Sequence, residues 1–118
     1  MKIKEIIEIL NGTLVCGEEN LEMDIVAGCG ADLMSDVMAY VKESVVLLTG
    51  LVNPQVIRTA EMMDIHVIAF VRGKIPGDDV IALAKERKIT IITTTETLFI
   101  ACGKLYSAGL VGRGVWNE

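Results

Sequence analysis

The residues best suited to chemistry in this chain are hydroxyls, glycines and two cations, gathered in four short segments. These are Gly28-Cys29-Gly30, Thr49-Gly50-Leu51-Val52-Asn53, Arg72-Gly73-Lys74 and Thr93-Thr94-Thr95. What such a set can do is hold an anion. Hydroxyls and backbone N–H groups donate, glycines let a ligand approach the backbone, and Arg72 and Lys74 supply positive charge. The candidate ligand-binding residues are therefore Gly28, Cys29, Gly30, Thr49, Gly50, Asn53, Arg72, Lys74, Thr93, Thr94 and Thr95, and the ligand class is a phosphate- or carboxylate-bearing small molecule such as a nucleotide. Each segment also has a plainer use, since any α/β fold needs loops that cap a helix and turn the chain.

Bond-breaking chemistry finds less support. Cys29 lies between glycines near an expected helix N-terminus, which would lower its pKa and favour a nucleophilic role in a small cysteine-dependent enzyme. No general base stands beside it in sequence. The single histidine, His66, begins an expected strand at the opposite end from these loops. The acid pairs Glu18-Glu19 and Asp78-Asp79 fall in a turn and a helix start, where they serve as solvated residues and dipole partners. Gly28-Cys29-Gly30-Ala31-Asp32-Leu33 begins like a dinucleotide fingerprint but has Leu33 where the third glycine or alanine belongs, and there is no Walker lysine motif. Cys16, Cys29 and Cys102 are an odd number without a Cys-x-x-Cys spacing, so neither a disulfide framework nor a zinc knuckle is indicated. The expectation is a domain with no catalytic residue, no metal and no cofactor.

The elements that would position the four segments follow from periodicity. Ile3, Ile6, Ile7 and Leu10 recur at helical spacing, and Asn11-Gly12 stops that helix. Thr13 to Cys16 reads as a short strand before the turn at residues 17–20. Leu21, Met23 and Ile25 alternate with Glu22 and Asp24, which predicts a half-wet, edge-like strand running to about Ala27. Gly28-Cys29-Gly30 then reads as a turn, with Asp32 as N-cap of a helix striped by Leu33, Met34, Val37, Met38 and Val41.

Three continuous apolar runs begin at Val45, Val67 and Ile89, a constant step of 22 residues, as expected of parallel strands covered on both faces. Helices over 54–63 and 78–87 separate them, the first capped by Asn53 with Pro54 at its first position. A last helix striped by Leu98, Cys102 and Leu105 follows, with Thr93 and Glu96 at capping-box spacing. Residues 110–118, rich in glycine and without a period, read as a loosely ordered tail unless Trp116 docks on a partner. The methionines Met34, Met38, Met62 and Met63 lie on or near the helical stripes and suit packing or a dimer face. The fold class is thus α/β, a single three-layer domain over residues 1–118. It has a mainly parallel central sheet, helices on both faces and a short N-terminal helix and strands.

Composition narrows the partners. With 118 residues there is room for one domain, and no apolar run approaches the ~20 residues that cross a bilayer, so no membrane partner is expected. Sixteen acidic residues against eleven basic ones give a net charge of −5, which disfavours phosphate-backbone neutralisation and hence nucleic acid. No signal-peptide pattern follows Met1, and the expected location is the cytoplasm.

The run from Leu47 to Leu110 resembles the DRTGG domain family. The match is densest from Leu48-Thr49-Gly50-Leu51-Val52-Asn53-Pro54 through Met62, with Phe70-Val71-Arg72-Gly73-Lys74 and Ala101-Cys102-Gly103-Lys104 through Leu110 adding to it. The resemblance implies an α/β regulatory or dimerising module. In that family such domains occur alone or fused to CBS-domain pyrophosphatases and phosphotransacetylases. No catalytic residues are established for the domain, so none carry over. The string Asp-Arg-Thr-Gly-Gly is itself absent here: where many relatives place Asp-Arg after the strand's glycine, this chain has Leu51-Val52. The resulting expectation is a regulatory, ligand-sensing homodimer, the alternative being an interaction scaffold for a partner enzyme.

Overall fold

Alternation along strands buried at almost every position decides this architecture. The computed structural model describes residues 1–40 and 44–112; Val41 of the second helical stripe and Trp116 of the tail lie outside them. Within β3 (Val45–Thr49), β4 (Val67–Phe70) and β5 (Thr90–Thr93), odd and even positions feed two separate cores. Val45, Leu47, Ile68, Phe70 and Ile91 face one side, and Val46, Leu48, Val67, Ala69 and Ile92 the other. A strand with apolar residues at every position has no wet face, so the sheet must be covered on both.

The covering helices follow from topology. Strand β2 (Ala27–Gly30) lies beside β3, then β4, then β5, all parallel and in chain order. They are joined by α2 (Met34–Tyr40), α3 (Pro54–Met62) and α4 (Asp78–Glu86), whose buried residues Val37, Ile57 and Val80 all enter the first core. Three crossovers of one hand, all stepping in one direction, keep their helices on one face. The next crossover runs backwards, from β5 through α5 (Leu98–Ser107) to β6 (Val111–Gly112) beside β2, and the same handedness requires it to cross the opposite face. Ala101 and Leu105 of α5 do enter the second core, beside Ile3, Ile6 and Leu10 from α1 (Ile3–Ile9) and the turn that ends it. Strand β1 (Thr13–Cys16) completes the sheet antiparallel to β5, giving the order β1-β5-β4-β3-β2-β6.

Several expectations are corrected. Residues 21–25 do not enter the sheet. Their alternation instead lays them along α1, where Ile3 and Lys4 donate to the carbonyls of Met23 and Leu21, both at 3.1 Å, and Leu21 and Met23 pack against the second core. The sheet strand is the segment read as a turn, Gly28-Cys29-Gly30. Glycine suits it because α5 lies so close: a Cβ on Gly30 would fall 2.6 Å from Cys102 Sγ. Asp32 does not cap α2, which begins at Met34, and its carboxylate is engaged elsewhere. The cap of α5 is Thr97, whose hydroxyl oxygen accepts from Ile100 N, while Thr93 ends β5. The tail begins later than expected, since Leu110 is buried and residues 111–112 pair with β2. No helix of the described residues is long and apolar enough to cross a membrane.

Candidate functional site

All carboxyl ends of β2 to β5 lie on one side of the sheet, which brings three of the candidate segments, Thr49 to Asn53, Arg72 to Lys74 and Thr93 to Thr95, to one edge, while Gly28-Cys29-Gly30 lies within β2 itself. The loops part at one point only. After β4 the chain turns towards α4 on the first face, and after β5 towards α5 on the second, so a crevice opens between neighbouring strands whose connections diverge. A cleft of about 240 Å³ occupies that position, with Gly73 and Ile75 on one side, Thr93, Thr94 and Thr95 on the other, and Asn11 and Thr13 from the β1 side.

The turn after β4 is held in an unusual shape. Arg72 and Gly73 both have positive φ, 63° and 70°, a conformation that costs a non-glycine residue about 1 kcal/mol. Hydrogen bonds to the β5–α5 loop hold it there: Arg72 N donates to Glu96 O at 2.7 Å and Gly73 N to Thr94 O at 3.0 Å. Glu96 in turn pairs with Lys104 of α5. The result is that the Arg72 guanidinium lies across Gly50, so close that a Cβ there would come within 2.8 Å of Nε. Lys74 follows, exposed to solvent.

The end of β3 is occupied by the protein itself. Asp32, just past the end of β2, places Oδ1 where it accepts from Gly50 N at 2.7 Å and from Thr49 Oγ1 at 3.1 Å. Its Oδ2 faces Arg72 Nη2 at 3.8 Å. The Gly50 amide, then the Thr49 hydroxyl and the Arg72 charge, hold the Asp32 carboxyl below the usual aspartate range. Thr49 Oγ1 also accepts from Leu51 N at 3.1 Å, which closes the turn into α3.

The remaining candidates divide by what they already do. Asn53 caps α3 by accepting from Gln55 N at 2.9 Å. Thr94 is buried and its hydroxyl donates to Leu10 O at 2.8 Å, tying the end of α1 to the edge. Thr93 and Thr95 line the cleft, Thr93 half-buried and Thr95 exposed. Gly28 and Gly30 instead border a separate apolar crevice of about 100 Å³ against Cys102, Leu105 and Leu110 of the α5 side. Cys29 packs against the first core, and burial pushes its thiol pKa up, the reverse of the lowered value expected for it. Cys16 and Cys102 are raised by burial as well. His66 sits at the amino end of β4, with Nε2 3.4 Å from Asp64 Oδ1, far along the strand from the cleft.

Asp32 is the site residue that pattern reading misses. Its type and place suit a helix cap, and only the pairing of β2 with β3 reveals that an acid two residues past one strand end faces a Thr-Gly at the next. On the second face, α5 presents Phe99 at 84% exposure together with exposed Ile100 and Tyr106. Phe99, Ile100 and Gly103 border an open groove with Ile9.

No family model and no curated protein matches this sequence. In fold, the chain is similar to a solved structure of the CBS and DRTGG domains of the regulatory region of Clostridium perfringens pyrophosphatase, complexed with its activator diadenosine tetraphosphate. The TM-score is 0.69 at 18% identity, over 88% of this chain and 45% of that one. The chain therefore spans less than half the length of that neighbour. With the geometry of the edge established, this likeness shows that the domain has an α/β fold related to that of the CBS and DRTGG domains.

Proposed function

We propose that this domain is a non-catalytic regulatory module that senses a phosphate-bearing small molecule at the carboxyl edge of its sheet and works as a homodimer. The observation that carries the reading is the carboxyl edge at the point where the chain's crossovers diverge, where a cleft lined by Gly73 and Thr93 to Thr95 lies next to the end of β3 and the Arg72 guanidinium turned over Gly50. Open parallel sheets bind ligands at such points because backbone and side-chain donors from two loops converge there. The neighbour in fold is described as a regulatory region with a nucleotide activator, which makes nucleotides the first class to try. Three free thiols suit a reducing, cytoplasmic setting.

The test is thermal unfolding with a panel of nucleotides and acyl phosphates. A ligand at a hundredfold excess over its Kd adds about 2.7 kcal/mol and raises Tm by several degrees. Lys74→Ala is expected to reduce that shift while leaving the ligand-free Tm unchanged. A panel without any shift would falsify ligand sensing.

The exposed α5 face favours a second reading, an interaction scaffold for a partner enzyme. A phenylalanine and a tyrosine open to solvent on one helix are what a docking face presents before it is covered. Light scattering separates the readings when joined to the panel: a dimer with no ligand response favours the scaffold.

A further inference from the structure

The donors at the end of β3 already hold an oxyanion, and it belongs to the protein. A backbone amide, a hydroxyl and a guanidinium converge on the Asp32 carboxylate, through Gly50 N, Thr49 Oγ1 and Arg72 Nη2. A phosphoryl group or a ligand carboxylate would use that same donor set. The two sides of this contact are built differently. Thr49 and Gly50 are buried at a strand end, and the turn that carries Arg72 is held by Arg72 N donating to Glu96 O and Gly73 N to Thr94 O. The acceptor hangs from the short exposed stretch between β2 and α2, and the Asp32 side chain is 51% exposed. A buried amide and hydroxyl thus meet a carboxylate that solvent can reach, with the Arg72 side chain, 48% exposed, closing the contact from outside.

We infer that Asp32 is an internal competitor: an incoming oxyanion takes the cradle of Thr49, Gly50 and Arg72 by displacing the Asp32 carboxylate, not by filling a vacant site. Two anions cannot share one amide and one hydroxyl, and their mutual repulsion at contact distance opposes any mixed state. The inference deepens the anion-sensing reading and rests on it. Its consequence is that apparent affinity is reduced by the fraction of time the carboxylate holds the cradle.

The experiment titrates inorganic pyrophosphate into the full chain and follows backbone amides by two-dimensional NMR. Asp32→Ala is expected to bind about tenfold tighter than the unaltered protein, with the Gly50 amide among the most shifted resonances. Asp32→Asn, which keeps the shape and loses the charge, is expected to bind more tightly than the unaltered protein and serves if the alanine variant does not fold. Asp36→Asn removes an equal charge in the first turn of α2 without freeing the cradle, and it is expected to leave the affinity unchanged. Equal affinity in the unaltered protein and both Asp32 variants, with Gly50 unmoved, overturns the displacement and leaves the anion site elsewhere on the edge. An equal gain from Asp36→Asn would also overturn it, as a mere effect of net charge. Absence of binding by every variant, to pyrophosphate and to the nucleotide panel alike, overturns the anion-sensing reading and this inference together.

Discussion

Single residues here are constrained most where backbone meets backbone. Gly17 has φ of 90°, and a Cβ on it would lie 2.5 Å from Thr90 Cα, part of a neighbouring strand that cannot step aside. Thr90 is fixed on the same spot, donating to Gly17 O at 2.9 Å and accepting from Asn20 Nδ2 at 3.1 Å. Gly17→Ala is therefore expected to cost about 2–4 kcal/mol, the sum of a left-handed backbone penalty and overpacking, read as a lower midpoint in urea. Gly73→Ala, where the added Cβ meets nothing within 4 Å, bears only the backbone penalty, about 1 kcal/mol. Thr49, Gly50, Arg72 and Lys74 can be picked out as candidates because hydroxyls, glycines and cations follow apolar runs directly, although each also has a use in turning the chain. It hides Asp32, because an aspartate before a helix has an ordinary local use and its actual partners come from other strands.

The elements show which local signals bind and which yield. Asn53 and Pro54 start α3 as their types dictate, and the three apolar runs become strands β3, β4 and β5 to within a residue or two. The segment that misleads is 21–30. There, two-residue alternation arises from packing on a helix, and a glycine-rich stretch that looks like a turn is a strand whose glycines let α5 and Leu110 pack close against it. A double-mutant cycle checks that explanation. Gly30→Ala alone is expected to lose about 1–3 kcal/mol, as its methyl meets Cys102 Sγ at 2.6 Å. Combined with Cys102→Ala it should cost less than the sum of the two single changes, because the shortened side chain makes room for the new methyl. Strict additivity would place the role of Gly30 elsewhere, in the backbone itself.

At the scale of the whole molecule, one crossover running backwards does most of the organising. It moves α5 to the face that α1 covers, builds the second core, and parts the loops after β4 and β5 into the cleft. Handedness is a property no single residue spells out, so the cleft's position could be read only once strand order was known, although the constant 22-residue step already implied the parallel strands. The same order has a bearing on how the chain reaches its native state. Strands β2 to β5 pair with sequence neighbours, whereas β1 joins Thr13 to Thr93 and β6 joins Ala27 to Val111, ends of the chain meeting across most of its length. Contacts that close long loops come at greater entropic cost and form later. Pulsed hydrogen exchange during refolding should find the amides of β3 and β4 protected first and those of β1 and β6 last, with early protection of either outer strand contradicting that order. A transient species lacking both would expose β2 and β5 as bare edges, so self-association during refolding is expected to begin at these two strands and to rise with protein concentration.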